Sequence, residues 1–500
     1  MNPLKPQPRP DTAGRRGASI GLPILGAASS PSEAVGAPRA DGTAPVVSFV
    51  SLGCAKNLVD SERMLGDLAT SGVVLSGDEE LADTVVVNTC GFLENSRTEA
   101  LEVLRELAER KRRGELSRIV VAGCLVQRDG VRIKEWVPEV DALVGVNNRD
   151  DVVRAVWRLD RDAELNRYLG AYHPTALGEA RRWNDLGRLR LTPPHYAYVR
   201  ISEGCDQKCT FCTIPSIRGP MHCKTPDELI AEGHELIADG ARELLLIGQD
   251  TTSYGHDIGS ESGLAGLLRT LNDAWHGADW IRLMYVYPSI LSDEIIDAIA
   301  ECNRVVKYID IPLQHINDRV LKAMHRRVTR AETEALLEKL RTRIPDVTIR
   351  TTFIVGFPGE TDAEFRELLE FVRSFGFDAA GAFPYSLEAE TPSGRMKSQV
   401  DDAVKRARYE EFMLTQQEVA FAAARKWVGR TREILIDGAD ERGAVGRHAG
   451  QAPEVDASCI LPDVEAEPGT FVSARCVDSD DYDLIFNPVK NARARSARRR

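Results

Sequence analysis

The stretch YAYVRISEGCDQKCTFC, residues 196–212, decides the fold of this chain, because a β-prone run leads directly into three closely spaced cysteines. Cys205, Cys209 and Cys212 (the loop trio) follow the pattern Cys-x-x-x-Cys-x-x-Cys on one short loop, with Phe211 placed to keep water off a bound group. A 4Fe–4S cube has four irons, so three thiolates leave one iron open to chelate a small molecule. The alternatives are a zinc site, which usually takes paired Cys-x-x-Cys knuckles with four protein ligands, or three unrelated core cysteines.

This loop stands after the first of six strand–helix units, which predict an open, partial TIM-type (β/α)6 barrel. Catalytic residues of barrels gather at the carboxyl ends of the strands, and the loop trio lies at such an end. Amphipathic helical segments, such as residues 226–240 and 331–344, separate the strands. The six predicted strands cover residues 196–202, 243–250, 280–288, 305–313, 348–359 and 377–386.

Other strand ends of the barrel offer candidates for a ligand pocket, since groups there are suited to hold an amino-acid head group and a ribose. The candidates are Gly248, Gln249, Gln314, Gly356 and Phe357 at strand ends, and Arg327 from a basic pair with Arg326. Two alternatives stay open. Residues 356–360 also suit a plain turn before a helix, and the basic pair also suits a solvated helix face.

Three β-rich runs in the N-terminal third are each followed within two residues by a cysteine. The runs cover residues 46–52, 84–88 and 118–123, and the cysteines are Cys54, Cys90 and Cys124 (the sheet trio). Helical stretches between the runs predict an α/β domain with a flavodoxin-like parallel sheet. Because the carboxyl ends of parallel strands share one edge, we expect the sheet trio to converge there and to hold a second cluster. The alternative is that these buried cysteines fill core space.

The C-terminal part predicts a small antiparallel β-barrel, since a helical stretch at residues 401–427 is followed by short β-like runs broken by Gly, Pro and Asp. Such barrels often bind nucleic acid. Residues 430–488, however, carry 13 acidic and 5 basic residues, and a surface that grips phosphates needs the opposite sign. The charge favours a basic protein partner. Residues 490–500 carry six basic residues and predict a disordered tail that touches RNA or has no role.

Composition sets the outer limits of the interpretation. The 500 residues suggest about three domains, and the net charge of −12 argues against a nucleic-acid coat protein. No run of about 18 apolar residues and no export signal is evident, so we expect a cytoplasmic protein without a membrane span. The ten cysteines are then ligands or free thiols rather than disulfides. Outside the trios, we expect Cys223 to lie near the loop trio or at the surface without binding the cluster, and Cys302, Cys459 and Cys476 to fill core space or to be free thiols.

The predicted domain boundaries follow from these patterns. Residues 1–45 form a disordered leader, 46–160 the N-terminal domain, 161–192 a linker, 193–425 the barrel domain, 426–489 the small terminal barrel and 490–500 the basic tail.

Three motifs resemble the radical S-adenosylmethionine (SAM) methylthiotransferases, and the resemblance extends from about residue 46 to residue 489. They are SLGCAKNLVDSERM (residues 51–64), ISEGCDQKCTFCTIPSIRG (201–219) and DIPLQHIND (310–318). They are similar to the branch that modifies an aspartate of small-subunit ribosomal protein S-twelve, and the tRNA-modifying branch differs at these runs. The terminal barrel resembles the OB-like TRAM domain, which binds RNA in the tRNA branch. The leader and the arginine-rich tail depart from the family pattern.

The resemblance implies two 4Fe–4S clusters, a SAM-cleaving cluster on the loop trio and an auxiliary cluster on the sheet trio. It implies that SAM serves as radical source and as methyl donor, and that the β-carbon of the aspartate receives the methylthio group. The strand-end candidates become SAM contacts, and no catalytic residue is predicted beyond the cluster ligands. A sulfur donor and an electron donor are required, and the sequence identifies neither.

Two rival functions stay open at this point. The first is a tRNA methylthiotransferase that modifies an adenosine with the same chemistry, and the acidic terminal barrel speaks against it. The second is a non-catalytic iron–sulfur redox sensor or binding module, which predicts no SAM turnover with dithionite as reductant. RNA binding by the predicted ribosomal-protein enzyme is at most secondary.

Overall fold

The computed structural model describes residues 43–159, 167–169 and 184–489. The described residues form two compact units, one of residues 43–159, 167–169 and 187–191 and one of residues 184–186 and 192–489. The predicted basic tail and all but the last three residues of the predicted leader lie outside the described residues. The predicted linker lies largely outside them as well.

The first unit is a parallel sheet of six strands with helices around it, which confirms the predicted flavodoxin-like domain. The strand order is β2-β1-β3-β4-β5-β6, and its first five positions repeat the 2-1-3-4-5 order of flavodoxin-like sheets. In chain order the elements are β1 (Val46–Ser51), α1 (Ala55–Thr70), β2 (Val74–Leu75), β3 (Thr84–Thr89), α2 (Glu94–Arg112), β4 (Arg118–Gly123), α3 (Cys124–Asp129), α4 (Arg132–Trp136), β5 (Ala142–Gly145), a 3-10 helix (Val146–Asp151), α5 (Val152–Trp157) and β6 (Arg167–Tyr168).

The central strands of this sheet are buried on both faces. Every residue of β3 and of β4 is buried, and both strands are rich in valine. β-branched side chains suit a pleated surface that is covered on both sides, as parallel sheets are. Helix α2 packs one of its faces against the sheet through Leu104, Leu107 and neighbouring alanines. This burial holds the carboxyl ends of β1, β3 and β4 at one edge, where the sheet trio follows.

The second unit contains the predicted partial (β/α)6 barrel, which the structure confirms. Its six strands run in two parallel sheets, β11-β10-β7 and β12-β13-β14, joined by a bridge between Ile281 and Val305. The elements are β7 (Tyr196–Arg200), β8 (Ser202–Glu203), α6 (Ile214–Arg218), β9 (His222–Cys223), α7 (Pro226–Ala238), β10 (Glu243–Ile247), α8 (Gly263–Ala274), β11 (Trp280–Leu283), a 3-10 helix (Pro288–Ile290), α9 (Asp293–Glu301), β12 (Tyr308–Asp310), α10 (Asp318–Ala323), α11 (Arg330–Arg343), β13 (Thr348–Val355), α12 (Asp362–Phe375), β14 (Ala379–Pro384), a 3-10 helix (Ser393–Arg395) and α13 (Asp402–Arg425).

Three of the barrel helices begin with a capping box, in which a threonine and a glutamate three residues later satisfy each other's backbone N–H groups. The threonines are Thr225, Thr329 and Thr361. Thr361 therefore ends the turn that follows β13 and starts α12. Among the helices of the described residues, none combines the length and the apolar character that crossing a membrane requires.

The C-terminal barrel is closed by five strands in the order β15-β16-β17-β19-β18. The strands are β15 (Thr431–Asp440), β16 (Gly443–Arg447), β17 (Cys459–Leu461), β18 (Phe471–Asp480) and β19 (Asp483–Pro488). It differs from the predicted antiparallel barrel in one pairing, because β17 and β19 run parallel. β19 pairs antiparallel with β18 on one side and parallel with β17 on the other. Cys459 and Cys476 lie in its apolar core, as predicted.

A loop of the C-terminal barrel, residues 448–458, covers the amino-terminal ends of the (β/α)6 strands (the bottom loop). The hydroxyl of Tyr308 donates to the carboxylate of Asp456 at 2.7 Å, and that of Tyr196 donates to Glu454 at 3.1 Å. Just before the bottom loop, Arg447 binds the buried carboxylate of Glu243 at 2.6 Å. These contacts lie at the strand ends opposite to the loop trio, so the C-terminal barrel closes one end of the (β/α)6 barrel and leaves the cysteine end to ligands.

Candidate functional site

The loop trio follows β7 and β8 directly, at the carboxyl end of the first barrel strand. The backbone N–H of Cys205 donates to the carbonyl of Gly219 at 3.2 Å, which brings the two ends of the loop together. Gly204 has φ of 74°, and a Cβ there would lie 2.1 Å from the carbonyl oxygen of Pro220. Only glycine fits so close an approach at positive φ. The turn before the first cysteine is therefore set by sterics.

The middle of the loop is anchored to the opposite side of the barrel. Thr210 donates from its backbone to the carbonyl of Met324 at 3.1 Å and from its hydroxyl to that of Ala323 at 2.8 Å. The ring of Phe211 packs against a small apolar cluster that contains Phe357 and Tyr385. The predicted shielding role of Phe211 therefore has a structural basis, because the ring covers one side of the loop.

Phe357, predicted as a ligand contact, is fully buried, and its ring meets that of Tyr385 edge-on at 5.4 Å. Its side chain belongs to the core beneath the loop, which leaves only its backbone for a ligand. The sequence reasoning missed this because a phenylalanine at a strand end reads equally well as pocket wall and as core.

A cation and an aromatic ring lie beside the second cysteine of the loop trio. A guanidinium nitrogen of Arg326 is 3.7 Å from Sγ of Cys209, and the hydroxyl of Tyr287 is 3.8 Å from it. The guanidinium of Arg326 also stacks over the Tyr287 ring at 4.0 Å. Arg327, the member of the basic pair predicted to contact the ligand, is exposed. The buried member of the pair is the one that reaches the loop, and Tyr287 was not singled out from sequence.

Burial sets the protonation state of the free loop thiols. It raises the pKa of Cys205 to about 12 and that of Cys212 to about 12. Both are thiols rather than thiolates near neutral pH in the free protein. Since only thiolates bind iron, loading this loop must displace protons, as it does at other thiolate metal sites.

Beneath the loop lies a buried ion network that balances three cations with three carboxylates. Its members are Arg200, Arg218, Lys224, Asp185, Glu203 and Glu232. Glu203 binds Arg200 at 2.6 Å and Arg218 at 2.8 Å, so it ties β7 to the helix that follows the loop. The carboxylate thus holds both flanks of the loop trio from below.

Two of the predicted pocket residues adjoin this network. Gln249 donates from Nε2 to Glu203 at 2.8 Å, and its Oε1 is buried without a hydrogen-bond partner among the described residues. The hydroxyl oxygen of Ser202 is likewise buried without a hydrogen-bond partner among the described residues. A Cβ at Gly248 would lie 2.6 Å from this oxygen. Two unsatisfied oxygens at neighbouring strand ends fit a ligand that brings its own N–H or O–H donors, as SAM does with its amino and ribose groups.

The remaining strand-end candidates are held by a second buried cluster. Gln314 has φ of 72°, and its backbone stays in the sheet, donating to Thr352 at 2.9 Å. His315 accepts the N–H of Asn317 on Nδ1 and therefore donates from Nε2 to Glu360 at 3.3 Å. Glu360 also accepts the backbone N–H of Gly356. The histidine and the glutamate fix the backbone of the loop after β13 rather than facing a ligand themselves.

The sheet trio lies at the carboxyl edge of the first unit. Cys54 caps the N-terminus of α1, Cys124 begins α3, and Cys90 directly follows β3. Gly53, with φ of 106°, comes so close that a Cβ there would lie 2.9 Å from Cβ of Cys90. The pairing of β1 with β3 and of β3 with β4 brings the three strand ends side by side. Cys54 is exposed, whereas the other two are buried.

Within residues 43–159, 167–169 and 184–489, no three histidine, cysteine or acidic side chains converge as a single metal ion requires. Zinc needs that kind of convergence. A 4Fe–4S cube takes each thiolate on a different iron, so its ligands stand apart. Two sets of three cysteines at strand ends fit that requirement in donor type and in number.

Three family descriptions match the chain. The radical SAM superfamily matches residues 199–372, the uncharacterized protein family UPF0004 matches residues 46–145, and the TRAM domain matches residues 428–489. Together they cover the N-terminal sheet, the (β/α)6 barrel and the C-terminal barrel.

Among solved structures, the radical SAM methyltransferase TsrM from Kitasatospora setae, with cobalamin and a [4Fe-4S] cluster bound, is similar with a TM-score of 0.52. It is 16% identical, and the match covers 70% of this chain and 77% of that one. At this identity the likeness concerns the fold alone.

Curated relatives match over most of both chains. The ribosomal protein uS12 methylthiotransferase RimO of Trichlorobacter lovleyi is 42% identical over 447 residues, which cover 89% of this chain and 98% of the relative. The RimO proteins of Bdellovibrio bacteriovorus and of Anaeromyxobacter sp. are 40% and 42% identical and cover 88% and 90% of this chain, and 96% and 94% of their own. The chain therefore belongs to the radical SAM methylthiotransferases, in the branch of the ribosomal protein uS12 enzymes.

Proposed function

We propose that this protein attaches a methylthio group to the β-carbon of an aspartate of ribosomal protein uS12, with SAM as radical source and methyl donor. The observation that carries the proposal is the presence of two cysteine trios, each at the carboxyl edge of a parallel sheet. SAM cleavage needs one trio, and sulfur transfer accounts for the second. The relatives named as uS12 methylthiotransferases support the substrate.

We assign one 4Fe–4S cluster to Cys205, Cys209 and Cys212 and a second to Cys54, Cys90 and Cys124. The bound clusters and SAM supply the one-electron chemistry that the β-carbon C–H requires, since that bond is not acidic enough for a side-chain base. The chain's own groups bind, orient and shield. The proposed SAM contacts remain Gly248, Gln249, Gln314, Gly356 and, through its backbone, Phe357. Arg327 also remains a proposed SAM contact, although no contact described above supports it.

Residues around the loop trio carry out the orienting and the shielding. Phe211 and the apolar cluster below it exclude water from one side of the loop. Arg326 places a positive charge 3.7 Å from Sγ of Cys209. The buried oxygens of Gln249 and Ser202 would accept hydrogen bonds from N–H or O–H groups of bound SAM. Cys205 and Cys212 give up their protons to solvent when the loop is loaded.

The terminal barrel is proposed to face the protein substrate. A ribosomal protein that contacts RNA phosphates carries basic surface, and residues 430–488 carry 13 acidic against 5 basic residues. RNA contact is proposed as secondary. We expect the enzyme to act in the cytoplasm, and the domain boundaries at residues 45, 160, 192, 425 and 489 stay predictions.

The decisive experiment is anaerobic incubation of the iron-loaded protein with SAM, dithionite, sulfide and uS12, followed by intact-mass analysis. We expect uS12 to gain the mass of one methylthio group. Cys209→Ala should abolish SAM cleavage, whereas Cys90→Ala should still cleave SAM without inserting sulfur. Cys302→Ala, a buried cysteine outside both trios, is the matched control and should behave like the wild type.

Three outcomes would contradict the proposal. Methylthiolated product from Cys90→Ala contradicts the division between the trios. Modified tRNA with unmodified uS12 favours the tRNA branch. Absence of SAM cleavage under dithionite favours a non-catalytic iron–sulfur protein.

A further inference from the structure

The side chain of Asn57, in the first turn of α1, contacts all three strand ends that carry the sheet trio. Its Nδ2 donates to the carbonyl of Leu52 at 3.1 Å and to the carbonyl of Thr89 at 3.0 Å. Its Oδ1 accepts the thiol proton of Cys124 at 3.3 Å. Leu52 ends the run before Cys54, Thr89 directly precedes Cys90, and Cys124 is itself a member of the trio.

These contacts join segments that are far apart in sequence. A buried carbonyl without a donor costs about 1–3 kcal/mol. Asn57 is 1% exposed, so water cannot replace its amide there. An amide offers two N–H groups and an acceptor on one rigid plane, which is the set of groups that these three partners require.

The surroundings hold this amide in one orientation. Asn88 donates from Nδ2 to the backbone carbonyl of Asn57 at 2.8 Å and to Oγ of Ser61 at 2.9 Å. A Cβ at Gly53 would lie 2.9 Å from Nδ2 of Asn57, so glycine is needed for the approach. A Cβ at Gly123 would lie 2.2 Å from Oδ1 of Asn88. These contacts hold the backbone of Asn57 and bring Gly53 against its amide.

We propose that Asn57 is a positioning residue that sets the spacing of Cys54, Cys90 and Cys124 and thereby allows the auxiliary cluster to assemble. The inference rests on the proposed function, in which the sheet trio holds a cluster. Loading converts the Cys124 thiol into a thiolate, and its proton leaves to solvent. That one contact to Oδ1 is then lost, whereas the two bonds to the carbonyls of Leu52 and Thr89 persist and keep the strand ends together.

Asn57→Asp tests the proposal, because it keeps the shape of the side chain and removes both N–H donors. The variant is made in full-length protein that also carries Cys205→Ala, Cys209→Ala and Cys212→Ala (the background), so that bound iron reports on the sheet trio alone. After anaerobic reconstitution, the background should hold about four irons per chain. Asn57→Asp should lower this at least fourfold and remove the electron paramagnetic resonance signal of the reduced cluster.

Folding is followed in the same samples by hydrogen exchange of the β4 amides, which lie in the buried centre of the sheet. A positioning role predicts protection within a few-fold of the background. Asn57→Ser, which keeps a short polar side chain without the amide donors, should give the same iron loss. Asn272→Asp is the control, since this half-buried amide in the second unit accepts a backbone N–H of Arg304 on Oδ1 and should leave the iron unchanged.

Each outcome decides the question. A folded Asn57 variant that keeps about four irons overturns the proposal. Loss of β4 protection in both Asn57 variants also overturns it, because Asn57 would then be a requirement of the fold. A background that holds no iron overturns the proposed auxiliary cluster and, with it, the inference about Asn57. This result differs from a failure at Asn57 alone, in which the background and the Asn57 variants both hold iron.

Discussion

Replacing Glu203 by glutamine should loosen the base of the cysteine loop. Glu203 accepts hydrogen bonds from Arg200, Arg218 and Gln249, and its side chain is 5% exposed. Glutamine keeps the volume but removes one of the three negative charges that balance three buried cations. Removing one partner of a buried ion pair costs about 3–5 kcal/mol, and the lower end applies here because one acceptor oxygen remains.

A loss of about 3 kcal/mol corresponds to roughly 100-fold faster exchange of amides that open with the network. The assay is hydrogen exchange of the β7 and β10 amides in the free protein, because those strands carry Arg200 and precede Gln249. Iron content of the loop trio provides a second measurement and should fall together with the protection. Glu261→Gln is the control, since Glu261 is exposed.

A double variant tests the cause of this effect. Arg218→Met removes one buried cation, so Glu203→Gln combined with Arg218→Met restores the charge balance. The double variant should lose at least about 1 kcal/mol less than the two single variants together. The reasoning is refuted if Glu203→Gln leaves exchange within about threefold of the wild type, or if the two losses add without coupling.

Two further perturbations address the shielding of the loop and the pH dependence of the C-terminal barrel. Phe211→Ala removes a half-buried ring and should lower the local free energy of unfolding by about 1–2 kcal/mol. It should also speed the bleaching of the cluster's visible absorbance in air several-fold. An unchanged bleaching rate contradicts the shielding role. Burial lowers the pKa of His448 to about 3 from 6.5, so the folded form stays neutral while the unfolded chain takes up a proton. The contribution of the neutral His448 to the free energy of unfolding is therefore fully present above about pH 6.5 and falls as the pH drops towards 3, by about 2 kcal/mol at pH 5. Urea unfolding at pH 7 and pH 5 should show this loss in the wild type and not in His448→Gln.

The architecture follows from local patterns, which is why the sequence predicts it well. β-rich runs that alternate with amphipathic helices identify the parallel strands of both units, and the capping box at Thr361 marks where the turn after β13 ends. The predicted strands are too long at their carboxyl ends. Residues 305–313 read as strand, but only Tyr308–Asp310 belongs to β12, because the following residues leave the sheet to build the site.

The polar contacts of the site depend on neighbours that are distant in sequence, and the sequence does not predict them. The basic pair was identified, but which member is buried beside Cys209 depends on how the chain turns after α10, and it is Arg326. Asn57 stands in the middle of a recognised motif, yet its three partners become neighbours only when β1, β3 and β4 align. The parallel pairing of β17 with β19 was missed because strand runs carry no signal of direction.

The bottom loop has a consequence for recombination between enzymes of this kind. Glu243 and Tyr308, at the starts of two barrel strands, reach their partners Arg447 and Asp456 on the terminal barrel. A chimaera that grafts a foreign terminal barrel onto this catalytic core would leave the Tyr308 hydroxyl without its acceptor, and Glu243 would keep only Arg282 of its two cationic partners, unless the donor supplied matching groups. The terminal barrel is thus inherited together with the strand ends it covers, and an exchange of terminal barrels requires transfer of the residues on both sides of this contact.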